Sequence, residues 1–327
     1  MKNIAILMGG YSSEFEISLK SGNVVYQNLD RSRYNPYRVH IFRDKWVYVD
    51  DSGAEFPIDR NDFSTQKDGH KITFDAVFNA IHGTPGEDGL LQSYFQLLEI
   101  PHNTCDAYQS ALTFNKRDLL SVLKPYGIKC AESYYLNKGD HIDTEAIVSK
   151  VGLPCFVKPN KSGSSFGISK VKSADELPIA IEVAYKEDNE IIIERFLDGR
   201  EVSVGVINYQ GEVIVLPITE IISENDFFDY EAKYLGKSQE ITPAQLPDAI
   251  AEKVRQTAKR AYEVLQMKGF SRSEFIIVND EPFMLEMNTV PGLTAESLIP
   301  QQAQIAGISL EELFTNSIEL SLKGINK

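Results

Sequence analysis

The chain has 327 residues, 43% of them hydrophobic and 24% charged, so it has material for a sizeable core and is not an intrinsically disordered polypeptide. Its 47 acidic and 33 basic residues leave a formal net charge of −14, which repels nucleic-acid phosphates and anionic lipid at long range. No nucleic-acid or membrane partner is therefore expected, and any anionic substrate needs a locally positive pocket. The length suggests two or three domains. Cys105, Cys130 and Cys155 have no C-x-x-C spacing and fit reduced thiols. No stretch reads as a signal segment or a membrane span, and the expected location is cytoplasmic.

Residues 3–8 predict a buried strand ended by Gly9-Gly10. A helix from about Ser13 to Leu29 follows, with Phe15, Leu19, Gly22, Tyr26 and Leu29 as its inner stripe. Strands are expected at 37–42, 46–49 and 74–80. The glycine-rich loop from His82 to Gly89 then opens a helix near 90–98. Strand–helix alternation of this kind implies a doubly wound sheet with ligands at the carboxyl ends of its strands, where both glycine-rich loops lie. The first loop lacks G-x-G-x-x-G, which argues against a dinucleotide-dependent dehydrogenase. After Pro101 come a helix at 113–124, a strand around Tyr134-Tyr135-Leu136, a helix near 143–151 and the strand Phe156-Val157-Lys158. A strand at 168–171, a helix at 174–187 and a strand at 190–196 complete a compact α+β unit. From Glu201 the pattern is strand-rich, at 201–208, 212–222, 270–279 and 281–289. A helix at 246–267 interrupts it, and helices at 296–306 and 309–322 end the chain.

Four features carry chemistry. The strands containing Arg272-Ser273-Glu274 and Glu286-Met287-Asn288 have their polar residues at i and i+2, on one face. A three-residue loop centred on Asp280 would pair Glu274 with Glu286 and Arg272 with Asn288, with Cβ atoms about 4.5–5.5 Å apart. Two carboxylates that close call for a cation such as Mg²⁺, although a one-residue slip would leave them on a solvated face. Second, Lys158 precedes Gly163-Ser164-Ser165-Phe166-Gly167, a loop whose N–H groups suit phosphate but which does not match the P-loop pattern. Third, Ser13-x-x-Glu16 reads either as a capping box or as a carboxylate at the mouth of the first loop, placed for an ammonium group. Fourth, the irregular stretch at about 223–243 has the length of a lid.

These motifs, in this order, resemble those of the D-alanine–D-alanine ligases of the ATP-grasp superfamily. The resemblance covers essentially the whole chain. It rests on Gly9-Gly10 with Glu16, His82-Gly83 with Gly86-Glu87-Asp88-Gly89, Lys158-Pro159 with Gly163-Ser164-Ser165-x-Gly167, Glu231-Ala232-Lys233-Tyr234, and Glu286-x-Asn288 with Pro291-Gly292. It implies an ATP-grasp fold of mixed α/β and α+β class. The expected parts are a doubly wound N-terminal domain at 1–103, a small central α+β domain at 104–193 and a C-terminal antiparallel-sheet domain at 194–327.

The implied reaction joins two D-alanines through an acyl phosphate, using ATP and two Mg²⁺ ions (Mn²⁺ as a substitute), for peptidoglycan precursors. A ligase with another amino acid or D-lactate as acceptor is the alternative. By the same resemblance Glu16 receives the first ammonium, with Ser164 and Tyr234 closing that pocket and His82 beside it. Lys116, Lys158, Lys233, Ser164 and Ser165 serve the phosphates, Glu194 the adenine and Glu201 the ribose. Glu274, Glu286 and Asn288 hold the metal. Arg272 and the Gly292 N–H stabilise the oxyanion, and Ser297 helps bind the second substrate's carboxylate. The family more often has Asp where this chain has Glu274. A homodimer is implied as well.

Overall fold

The computed structural model describes residues 1–163, 166–223 and 238–324. Strand β1 (Lys2–Gly9) is buried from Ile4 onward and lies between β2 (Tyr34–Ile41) and β7 (Ala76–Asn79), parallel to both. A strand covered on both faces is a continuous apolar run, which is why this segment shows no alternation. Helix α1 (Phe15–Asn28) makes the crossover from β1 to β2. It buries Ser18, Ser21, Gly22 and Val25; of the expected stripe Gly22 and Leu29 are buried, Leu19 and Tyr26 pack partly buried against the core, and Phe15 is 39% exposed. The interface is built for close approach: a Cβ on Gly22 would lie 2.7 Å from Met8. The Ser18 hydroxyl donates to Ala80 O at 2.8 Å and accepts from Gly9 N at 3.1 Å. Apolar periodicity misses the serines of such a face.

Beyond β2 the sheet continues as an antiparallel meander, β3 (Trp46–Val49), β4 (Glu55–Asp59), β5 (Ser64–Lys67) and β6 (His70–Ile72), giving the order β6-β5-β4-β3-β2-β1-β7. Strands β4 to β6 were not anticipated, because three to five half-exposed residues leave no apolar run to read. After α2 (Leu90–Leu97), the single helix expected at 113–124 is two, α3 (Ala107–Phe114) and α4 (Lys116–Leu123). Asn115 is extended between them and accepts from Asp118 N, capping α4.

A second sheet is antiparallel in the order β11-β10-β12-β9, from β9 (Ser133–Asn137), β10 (Cys155–Pro159), β11 (Ser169–Val171) and β12 (Glu190–Arg195). Helices α5 (Thr144–Val151) and α6 (Leu177–Ala184) bury Ile147 and Ile181 against Val157 and Ile193. The third sheet runs β16-β15-β13-β17-β18-β8, with β14 on β13. Its strands are β8 (Lys129–Cys130), β13 (Arg200–Tyr209), β14 (Glu212–Val215), β15 (Thr219–Ser223), β16 (Ser238–Ile241), β17 (Phe270–Val278) and β18 (Glu281–Asn288). The helix Asp248–Val264 covers one face, together with α3 and α4, so that Leu119, Leu120 and Leu123 share a core with Val204, Ala258 and Phe275. Residues 105–130 contribute Cys105, Leu112, Leu123 and Ile128 to this same core on the third sheet. A further core joins Ile4, Val25 and Phe78 of the first sheet to Ile207, Phe270 and Phe314, through the helices Leu298–Ile305 and Leu310–Leu322.

Candidate active site

Where the three sheets meet lies a cavity of about 370 Å³, lined by Glu14, His82, Glu87, Lys116, Arg272, Glu286, Asn288, Gly292 and Ser297, among others. The metal hairpin has the pairing read from the sequence, Arg272 opposite Asn288 and Glu274 opposite Glu286, but reaches it differently. The turn has two residues rather than three, Asn279 and Asp280, with φ of 51° and 62°. Positive φ at both central positions is the signature of a type I′ turn. Near it Val278 pairs with Glu281 and Phe275 with Met284, and a β-bulge between Glu274 and Phe275 shifts the register by one. Were the register unbroken with Leu285 in place, Leu285 would stand opposite Glu274 and Glu286 would turn to the other face. With the bulge, Met284 and Met287 both reach the core and Glu286 and Asn288 reach the cavity.

At the opposite wall the two glycine-rich loops are laced together. Tyr11 N donates to Thr84 O at 2.8 Å and the Ser12 hydroxyl to His82 O at 3.1 Å. Glu16 is exposed and does not line the cavity; Glu14 does. The expected capping box is absent too: Glu14 occupies the N-cap position and no side chain caps the helix. The helix begins two residues later than expected, and that turns Glu16 to solvent. A Cβ on Gly163 would lie 2.7 Å from both Glu14 carboxylate oxygens, so a side chain there would push that carboxylate aside.

His82 and Glu87 were expected beside substrate or only within a motif; both also hold the segment that follows β18. His82 Nδ1 lies 2.7 Å from Val290 O, and a carbonyl only accepts, so Nδ1 carries the hydrogen. His82 Nε2, 3.0 Å from the Ser21 hydroxyl, is then its acceptor, and Ser21 in turn accepts from Leu293 N at 3.2 Å. Burial lowers the His82 pKa, which keeps the ring in the neutral form this chain of bonds requires. Glu87 is buried and accepts from Gly83 N at 3.1 Å, Thr289 N at 3.2 Å and Val290 N at 3.4 Å. Burial first, and the charge of Glu14 second, push its carboxyl up to about 7. Four hydrogen bonds from the first sheet's loops and helix thus fix residues 289–293. Gly292 then packs so closely on Ser297 that a Cβ would lie 2.6 Å from its hydroxyl. Ser297 is the N-cap residue of Leu298–Ile305, an anion-favouring helix start.

The basic residues face acids of the same site. Lys116 Nζ is 3.0 Å from Glu286 and donates to Ser162 O at 2.9 Å; Arg272 is 2.8 Å from Glu274; Lys158 is 2.9 Å from Glu194. Burial alone would lower the Lys158 pKa, but Glu194, Glu286 and Glu201 outweigh it and raise it. Lys158, Glu194, Glu201 and Glu274 do not line the cavity itself; they flank it through these contacts. Ser164, Ser165, Lys233 and Tyr234 lie outside the described residues. The donor set suits a divalent hard cation, with the Glu274 and Glu286 carboxylates opposite one another and the Asn288 amide two residues along from Glu286. Among the described residues there is no cluster of three or more His, Cys, Asp or Glu. Three buried polar atoms without a hydrogen-bond partner among the described residues, Arg272 Nε, Asn288 Nδ2 and Glu194 Oε1, belong to the same residues, as expected of a site that receives polar ligands. Glu240 also lines the cavity and was not anticipated; its strand is four residues long and follows a stretch with no period.

A cleft of lysines and a carboxylate hairpin between a small antiparallel sheet and a larger one defines an ATP-grasp ligase. Residues 3–105 match the model of the D-ala D-ala ligase N-terminus and residues 122–319 that of the D-ala D-ala ligase C-terminus. The chain belongs to the D-alanine–D-alanine ligase family. It is 79% identical over 322 residues to the D-alanine–D-alanine ligase of Flavobacterium johnsoniae, covering 98% of this chain and 100% of that one. Among solved structures, the VanG D-Ala:D-Ser ligase of Enterococcus faecalis matches with a TM-score of 0.85 at 31% identity, covering 98% of this chain and 99% of that one. The D-alanine–D-alanine ligase of Bacillus anthracis complexed with ATP matches with a TM-score of 0.80 at 26% identity, covering 100% and 99%.

Proposed function

We propose that this cavity joins two D-alanines to D-alanyl-D-alanine at the expense of ATP, for peptidoglycan precursors, in the cytoplasm and as a homodimer. The observation that carries the chemistry is the facing arrangement of Glu274, Glu286 and Asn288 with Arg272, Lys116 and Lys158 around one cavity. Glu274, Glu286 and Asn288 would hold two Mg²⁺ ions, which when bound supply charge neutralisation for phosphoryl transfer. Lys116 and Lys158 hold the α- and β-phosphates, Glu194 and Glu201 the adenosine, and the Ser164-Ser165 loop with Lys233 covers the γ-phosphate.

The first D-alanine's carboxylate attacks the γ-phosphate, releasing ADP and forming an acyl phosphate. The second D-alanine's amine attacks the acyl carbon, and phosphate leaves. Glu14, in place of Glu16, receives the first ammonium at the end of β1. Ser164 and Tyr234 close that pocket, and His82 stays neutral beside it. Arg272 and the Gly292 N–H serve the acyl oxygen on which negative charge develops, and each such donor is worth about 10²–10³ in rate. Glu87, His82 and Ser21 keep that N–H from moving by fixing residues 289–293. Ser297 and the N–H of Leu298 receive the second carboxylate.

Phosphate release measured with D-Ala, D-Ser and D-lactate as acceptors tests the assignment. Release with D-Ala alone, or with D-Ala far ahead of the others, is expected. Preference for D-Ser or D-lactate would make the chain a ligase of the other acceptor class. Turnover surviving Glu286→Gln at saturating Mg²⁺ would remove the hairpin from the metal site.

A further inference from the structure

Two residues beyond Lys158, at the root of the phosphate-covering loop, stands Asn160, fully buried. Every polar group it carries has a partner. Its Nδ2 donates to Asn115 Oδ1 and to Glu190 Oε2, both at 2.8 Å. Its Oδ1 accepts from Arg117 N at 2.9 Å. Its backbone N donates to Glu190 O at 2.9 Å, and its backbone O accepts from Lys116 N at 3.3 Å. The amide orientation follows from chemistry, since a backbone N–H only donates and an ionised carboxylate only accepts. Glu190 also meets Lys161 at 3.2 Å and Arg117 at 3.9 Å, and Asn115 caps α4.

The consequence is geometric. Asn160, next after β10 and so two residues from Lys158, ties the first turn of α4, which begins with Lys116, to Glu190 at the start of β12. Lys116 then reaches back to Ser162 O on the loop after Asn160. We infer that Asn160 is a positioning residue for nucleotide: it sets the spacing of Lys116 and Lys158 and anchors the loop root, without touching the phosphates itself. The inference rests on the reading of those two lysines as phosphate ligands. Helix α4 with its cap and strand β12 converge on one amide at the end of β10, so a single isosteric change tests it. Asn160→Asp keeps the shape, removes both donated bonds and sets a carboxylate against Glu190. Adding Glu190→Gln restores one of them in reverse, the new amide donating to the new carboxylate.

The test measures ADP affinity by titration calorimetry with Mg²⁺ present, together with KM for ATP, KM for D-Ala and the melting temperature. Asn160→Asp is expected to weaken ADP binding and raise KM for ATP roughly 10-fold, the scale of a lost buried hydrogen bond, while KM for D-Ala stays within about twofold. The Asn160→Asp, Glu190→Gln double variant is expected to recover at least half of that loss on a logarithmic scale. Asn160→Ser, which opens the same bonds without adding charge, is expected to weaken ADP binding without rescue by Glu190→Gln. Unchanged ADP binding in both single variants would overturn the inference. So would equal losses toward ADP and D-Ala with no rescue in the double variant, the mark of a merely structural residue. Lys116→Met separates the two claims: if it leaves ADP binding unchanged, the phosphate reading of the lysine fails. If it weakens binding while Asn160→Asp does not, Asn160 alone is misassigned.

Discussion

Glu14 and Glu16 stand two positions apart, yet one lines the cavity and the other faces solvent. Glu14→Gln is therefore expected to raise KM for the first D-alanine at least about 10-fold, as for removal of one member of a buried charge pair. Glu16→Gln is expected to leave it within about twofold. Steady-state kinetics at saturating ATP decides between them, and the reverse ranking would restore Glu16 as the ammonium ligand. Glu87 offers a second prediction. Its carboxyl titrates at an ordinary 4.5 when unfolded and about 7 when folded, so between those values the folded state holds the extra proton. Stability contributed by that proton is present below pH 4.5 and declines as pH rises through 7, by about 3 kcal/mol in all. Glu87→Gln, which cannot ionise, should flatten this part of the melting-temperature profile. A wild-type profile with no fall between pH 5 and 7 would contradict the assignment.

The β17–β18 hairpin shows why an element can be right in its pairing and wrong in its construction. Glu274 and Glu286 are legible as partners because their spacing to the turn residues permits it. A three-residue loop and a two-residue turn with a bulge give the same pairing at the far end, and no residue type announces the bulge. Removing Leu285, the residue between Met284 and Glu286 on the bulged strand, should return the hairpin to an unbroken register while keeping Glu286 opposite Glu274, because Glu286 then follows Met284 directly. The Leu285 deletion is expected to remain folded and keep measurable turnover, as read by kinetics alongside circular dichroism; complete loss of turnover in a folded variant would show that pairing alone does not place the carboxylates. The turn itself carries strain, because Asp280 holds φ of 62°. Asp280→Gly should stabilise the fold by about 1 kcal/mol, readable in a denaturant titration. Helix α1 was legible as a helix and its face only in part: Gly22 and Leu29 were read from the stripe, whereas Ser18 and Ser21 look polar and pack because they are small.

Over the whole molecule, a net charge of −14 coexists with a cleft where Lys116, Lys158 and Arg272 gather. Composition alone would steer anions away, whereas the fold collects these three cations from α4, β10 and β17, segments more than forty residues apart. That convergence was legible only through motif order, because no local stretch of sequence shows a positive patch. The strand–helix–strand heart of the first sheet and the metal hairpin could be read from apolar runs and paired carboxylates. The polar β4–β6 meander, the packing of residues 105–130 on the third sheet and the grip of Glu87, His82 and Ser21 on residues 289–293 could not, since each depends on contacts between distant segments. The claim that unites these levels is ATP-driven joining of two D-alanines. Incubation with ATP, Mg²⁺ and either D-alanine or L-alanine, with ADP quantified and the product identified by mass spectrometry, tests it most directly. ADP formed in step with an alanyl-alanine dipeptide from the D isomer, and little from the L isomer, is the predicted result. ADP without dipeptide, or equal turnover of both isomers, would contradict it.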